Sequence, residues 1–232
     1  MKKITIRRWP LRCLLFFVIS CQVKSEYDTF IPSQKDSIME VQKTDAAIDT
    51  IYGNEKLIEQ GDLIMRSGRD FTSETMRQLS IQDKTYSHCG IASIEHDSIF
   101  VYHSIGGEWN PDQKLRRDLF EIFCNPFENR GFGIFRYKLN SKENADLLLV
   151  VHKFYNQGIT FDMQFDLASN DRMYCTEFVY KAVEEATHNK IALSATILNH
   201  IKFVAPDNLF INPGCVEVKR VVFKSNNSVF NK

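Results

Sequence analysis

Apolar and polar positions alternate along this chain with two periods, and each period predicts its own element. Between residues 36 and 59, Ile38, Val41, Ala46, Ile48, Ile51, Leu57 and Ile58 recur among charges at roughly helical spacing, with a break at Gly53-Asn54. Gly61-Asp62 then opens a strand, Leu63-Ile64-Met65, and a short helix is expected over residues 73–79. Residues 87–94 and 98–103 read as two strands joined by the polar turn Glu95-His96-Asp97, hence a hairpin. Gly106-Gly107 and Asn110-Pro111 mark a loop, residues 115–123 read as a helix, and residues 133–139 alternate as a strand. Residues 141–156 form a helix pattern with Ser141 as N-cap and Gly158 near its stop. A second strong helix pattern covers residues 174–187, and residues 216–223 alternate as a closing strand. Helices and antiparallel strands mix without a βαβ rhythm or an internal repeat, so the predicted class is α+β.

The first twenty residues follow neither period. Lys2, Lys3, Arg7, Arg8 and Arg12 form a basic stretch, and residues 14–19 form an apolar run too short to span a bilayer. The run ends in Val18-Ile19-Ser20-Cys21, the pattern of a bacterial lipobox, in which the chain is cut before the cysteine and its thiol takes a lipid. An ordinary secretory signal or an apolar N-terminal strand is the plainer alternative. The expectation is a signal peptide over residues 1–20, lipidation at Cys21, a polar tether over 21–35 and a folded domain over 36–232. The protein is then an exported lipoprotein of the bacterial cell envelope, anchored to the membrane through its N-terminal lipid.

Composition narrows the rest. With 29 basic and 29 acidic side chains in 232 residues, formal charge is zero and no field favours nucleic acid. Hydrophobic residues make up 44%, enough for a real core. Beyond Cys13 and Cys21 lie Cys89, Cys124, Cys175 and Cys215, whose spacings match no zinc pattern, so neither a metal nor a cofactor is expected. If Cys175 stays free, at most one disulfide can form among the other three.

The candidate chemistry starts at Cys175, in the first turn of the helix at 174–187. Free backbone N–H groups and the positive end of the helix dipole stabilise a thiolate there, and the same N–H groups suit an oxyanion. The bland alternative is a small buried hydrophobe. A thiolate nucleophile needs an imidazole. In Tyr86-Ser87-His88-Cys89-Gly90, strand alternation puts His88 towards a cleft and Cys89 in the core, with Gly90 leaving room for a substrate or for the Cys helix. If the hairpin forms, His103 lies beside His88 and can orient its ring, with Glu108 as the alternative.

Four segments in this order resemble the YiiX/YaeF-like permuted papain-like hydrolases of the NlpC/P60 superfamily, over residues 61 to about 214. Gly61-Asp62-Leu63-Ile64 resembles the opening Gly-Asp strand, and Ser87-His88-Cys89-Gly90 resembles the Ser-His-x-Gly element of the catalytic His. Phe161-Asp162 followed by Tyr174-Cys175-Thr176-Glu177 resembles the Tyr-Asp and Tyr-Cys-Ser-Glu elements of the nucleophile, and Ala205-Pro206 resembles a Ser-Pro segment. The resemblance implies a papain-like core with the His strand ahead of the Cys helix. It also implies Cys175 as nucleophile and His88 as base. At the third position some relatives carry Glu where this chain has His103, while other members of the superfamily use His. Tyr86 and Tyr174 flank the two elements and are candidates for lining the substrate cleft, against ordinary packing.

The implied activity is cysteine hydrolysis of amide bonds in cell-wall peptides, with Asp62, Arg66, Asp171 and Arg172 available for recognition. Hydrolysis of acyl bonds in lipids is the alternative, and a non-catalytic binding module that keeps the fold is a third reading. The Gly, Pro and charge content of residues 107–129 suits a lid over the cleft.

Overall fold

The computed structural model describes residues 34–107 and 110–223. A six-stranded sheet organises it, in the order β4-β3-β2-β1-β5-β8, with every pairing antiparallel. The strands are β1 Leu63–Gly68, β2 His88–Glu95, β3 Ser98–His103, β4 Arg116–Leu119, β5 Asn129–Tyr137 and β8 Cys215–Val222. β6 Thr196–Leu198 and β7 Ile201–Phe203 form a separate hairpin. The helices are α1 Gln34–Glu55, α2 Phe71–Gln78, α3 Phe120–Phe123, α4 Ser141–Gln157, α5 Cys175–Thr187 and α6 Pro206–Phe210. No helix among the described residues is long and apolar enough to cross a membrane.

Both faces of the sheet are covered, which is why its central strands read as unbroken apolar runs. Leu63, Met65, Cys89, Ile91 and Tyr102 point to one face and pack with α4 and α5, through Leu147, Val151, Phe178 and Val179. Ile64, Ala92, Val101 and Ile134 point to the other and pack with Ile51 of α1 and with Phe120 and Phe123 of α3. The Gly-Asp opening of β1 is structural. Gly61 has φ +81, and a Cβ there would meet the Asn144 side chain at 1.9 Å. Asp62 is buried in a two-pronged ion pair with Arg136 (2.7 and 2.8 Å) and accepts the Glu59 N–H at 2.8 Å.

Several elements differ from the sequence expectation. α1 starts at Gln34, inside the expected tether, and runs through Gly53-Asn54. The side chain of Asn54 donates back to the Thr50 carbonyl at 2.6 Å across that point. Asn140, not Ser141, caps α4, through a reciprocal box with Glu143. Gly158 ends that helix in the left-handed conformation. The expected helix at 115–123 is half strand: Arg116–Leu119 pairs with β3 as the sheet edge, and only Phe120–Phe123 is helical. This pairing rules out a lid over all of residues 107–129, since Leu115, Phe120, Phe123 and Cys124 are buried parts of the two cores. The β6–β7 hairpin and α6 carried no expectation. Cys89, Cys124, Cys175 and Cys215 are all free thiols. The expected signal peptide, Cys21 and Glu108 lie outside the described residues.

Candidate active site

Cys175 is the first residue of α5, and the segment before α6 holds that helix end in place. Tyr174 precedes it as N-cap, its N–H donating to Glu177 Oε2 at 3.2 Å. Thr176 Oγ1 donates to the Val204 carbonyl at 2.6 Å, and the Val204 N–H donates to the Tyr174 hydroxyl at 2.8 Å. Asp207, in the Ala205-Pro206 motif, accepts the N–H groups of Ile81 and Gln82 at 2.9 and 2.7 Å. The C-terminal motif thus ties the start of the Cys helix to the loop after α2.

His88 opens β2, and two further strands align it. Its Nε2 lies 2.9 Å from His103 Nδ1, and His103 Nε2 lies 2.9 Å from Asp118 Oδ2. The carboxylate decides the protons. Asp118 can only accept, so His103 carries its proton on Nε2 and leaves Nδ1 as acceptor. His88 must then donate from Nε2, which leaves its Nδ1 a bare lone pair. Nδ1 makes no hydrogen bond to a described residue. Three adjacent strands, β2, β3 and β4, thereby fix one tautomer at one imidazole. Phe123 shields the relay, with ring centroids 5.6 Å from His88 and 4.9 Å from His103. Gly90 serves β3 rather than the Cys helix: a Cβ there would lie 2.5 Å from the Tyr102 carbonyl oxygen and 3.0 Å from His103 Cβ.

Burial keeps both rings neutral. It pushes His103 down to about 4 despite the Asp118 hydrogen bond, and lowers His88 well below its ordinary value with help from the charges of Arg66 and Arg116. Asp118 runs the other way. Burial raises its carboxyl, but hydrogen bonds from His103 and Arg116 outweigh that and hold it below the ordinary range.

Cys175 is held on the acid side of an ordinary thiol, first by a hydrogen bond from Cys89, then against burial by the N–H groups of Thr176 and Cys89 and the charge of Arg66. Cys89, Cys124 and Cys215 are all raised by burial. The thiol of Cys175 is turned to Cys89 and makes no hydrogen bond to His88.

Cys175 and His88 nonetheless line one cavity of about 660 Å³. Its polar wall holds Arg66, Asp70, Ser87, Gln113 and Arg116, and its apolar wall holds Ile105, Phe161, Met163 and Phe165. Tyr174 lines it too. Tyr86 does not. Its ring is buried edge-on against Phe135 and Phe210, so it packs the core rather than lining the substrate cleft. Of the recognition candidates, Arg66 lines the cavity, Asp62 is consumed by Arg136, and Arg172 pairs with Asp112 at 3.1 Å. Sequence reasoning missed Asp118, whose place depends on β4 being a strand.

No protein-family model and no curated protein matches the chain. Among solved structures it is similar to the metalloprotein YiiX of Escherichia coli O157:H7, with a TM-score of 0.58 and 18% identity, covering 71% of this chain and 98% of that one. The likeness shows a shared α+β fold.

Proposed function

We propose that this protein is a cysteine hydrolase of amide bonds, with Cys175 as nucleophile, His88 as general base, and His103 and Asp118 orienting the base. The observation that carries the reading is the Asp118–His103–His88 chain, which leaves one basic nitrogen unspent beside a cavity that also holds a helix-terminal cysteine. A His strand ahead of the Cys helix fits the reading of a circularly permuted papain-like enzyme, since chain order is free where geometry sets the chemistry.

In the proposed reaction Cys175 rotates from Cys89 into the cavity and His88 Nδ1 takes its proton. The thiolate attacks the carbonyl carbon, and the oxyanion meets the unpaired N–H groups of the first turn of α5. His88 returns the proton to the leaving amine as the C–N bond breaks, giving a thioester. Water, deprotonated by His88, then releases the acid and the thiol. Cell-wall peptides fit the polar wall of the cavity. The apolar wall of Phe161, Met163 and Phe165 favours a second substrate reading, an acyl bond of a lipid. The inward turn of Cys175 towards Cys89 favours a third, a binding module. A lipid anchor at Cys21 would hold the domain at the membrane of the cell envelope, close to either substrate.

A metal centre like that named for YiiX does not fit these residues. His88, His103 and Asp118 spend their facing atoms on one another, and no three His, Cys, Asp or Glu side chains among the described residues converge on one point.

The test is the alkylation rate of Cys175 by iodoacetamide against pH, located by peptide mapping, in the wild type and in His88→Ala and Cys175→Ala. A reactive thiol well below the free value of about 8.5 that shifts in His88→Ala supports the pair. A slow Cys175, or one indifferent to His88, sinks the hydrolase and leaves the binding module.

A further inference from the structure

Arg66 is the cation that the proposed chemistry leaves unexplained. The β1–β2 register sets it directly opposite His88, so the two side chains share a face of the sheet at the head of the cavity. Arg116, Arg117 and Arg136 on the same sheet each hold a carboxylate. Arg66 makes no ion pair with a described residue. Its guanidinium lies over the Phe123 ring, 4.7 Å from the centroid, and spends a single donor, on the Phe123 carbonyl at 2.9 Å. Its other donors meet no described residue. A half-buried guanidinium with one hydrogen bond to a described residue is costly to keep, and burial lowers its pKa. The neighbouring carboxylates are occupied: Asp118 by His103 and Arg116, and Asp70 by the N–H and hydroxyl of Ser73 at 2.9 and 2.6 Å.

Resting on the hydrolase reading, the geometry points to Arg66 as the residue that receives a carboxylate on the substrate, next to the bond that Cys175 attacks. A planar guanidinium fork matches a planar carboxylate in two parallel hydrogen bonds. The Asp70 carboxylate on the same wall repels a second negative charge, which favours a monoanion over a phosphate dianion. The substrate class is therefore an amide or ester that carries a free carboxylate near the scissile carbonyl.

Two small alkylating agents test this without knowledge of the substrate. Iodoacetate carries the carboxylate and iodoacetamide does not, and the ratio of their rates at Cys175 cancels the thiolate fraction. The expected ratio falls about tenfold in Arg66→Met, the size of one charge-assisted hydrogen bond, with Arg66→Lys between it and the wild type. Should Arg66→Met fail to fold, the wild type decides: N-acetylglycine slows iodoacetamide labelling of Cys175, while N-acetylglycine amide and phosphate do not. An iodoacetate-to-iodoacetamide ratio with no dependence on Arg66, with iodoacetamide labelling unprotected by N-acetylglycine, overturns the assignment and leaves the hydrolase standing. Cys175 inert to both reagents overturns both.

Discussion

Replacing Asp118 by Asn removes one charge from the end of the relay and tests its logic at the far end, two residues away in the hydrogen-bond chain. Arg116 Nη2 reaches both carboxylate oxygens of Asp118, at 2.9 and 2.8 Å. In Asp118→Asn the single amide oxygen therefore stays with Arg116, and the NH₂ group turns to His103 Nε2. That nitrogen must now accept, so His103 carries its proton on Nδ1 and donates to His88 Nε2. His88 in turn is forced to protonate Nδ1, and the lone pair that faced the cavity is gone. A hydrogen bond to a charged group contributes about 1.5–3 kcal/mol, and each 1.4 kcal/mol is tenfold, so the base-competent tautomer falls by roughly 10- to 100-fold. The assay is iodoacetamide labelling of Cys175 at neutral pH, with ¹⁵N NMR of the imidazoles reading the tautomers directly. Asp118→Glu, which keeps the charge, recovers part of the rate. An Asp118→Asn protein with wild-type labelling and an unprotonated His88 Nδ1 would falsify the proton assignment along the whole chain.

Two further outcomes concern pH and stability. The His103 ring titrates at about 4 in the folded protein against an ordinary value of 6.5, so the unfolded chain binds the extra proton first. Stability therefore drops as pH falls from 6.5 to 4, by about 3 kcal/mol from this group, and urea midpoints across that window in wild type and His103→Gln measure it. Glu177 has the opposite sign. Burial pushes its carboxyl up to about 7, against the pull of Lys181, so its penalty is absent below pH 4.5 and complete once pH rises past 7. Glu177→Gln should raise the melting temperature at pH 8 and leave it unchanged at pH 4, and a shift independent of pH would show that the carboxyl is not the cause.

How much of this was legible in the sequence depends on whether a residue's role is local. Cys175 at a helix start and His88 on a strand are local patterns, and a two-residue turn sufficed to bring His103 beside His88. Asp118 could not be read that way. Leu115, Leu119, Phe120 and Phe123 recur at helical spacing, and the segment becomes a strand only because β3 offers its edge. The side chain that completes the relay is thus placed by the β3–β4 pairing of Asp118 with Val101, and its hydrogen bond reaches a residue 15 apart in sequence. Tyr86 was misplaced for a related reason. Flanking the His element in sequence does not put a side chain in the cleft: β2 begins at His88, and the ring of Tyr86 turns to Phe135 and Phe210. Arg66 was visible as a charge just past the Leu63-Ile64-Met65 strand, but its lack of a carboxylate partner among the described residues is a property of the folded molecule.

The placement of Asp118 on β4 ties chemistry to the weakest margin of the sheet. β4 has four residues and pairs on one side only. Short edge strands open locally at far lower free energy than the strands they flank. Each such opening frees Asp118, releases His103 and lets the His88 tautomer relax, while the two cores stay folded. On the proposed reading, Cys175 reactivity is then a thermometer for one strand: on gentle warming it should fade before any global signal of unfolding, and return on cooling.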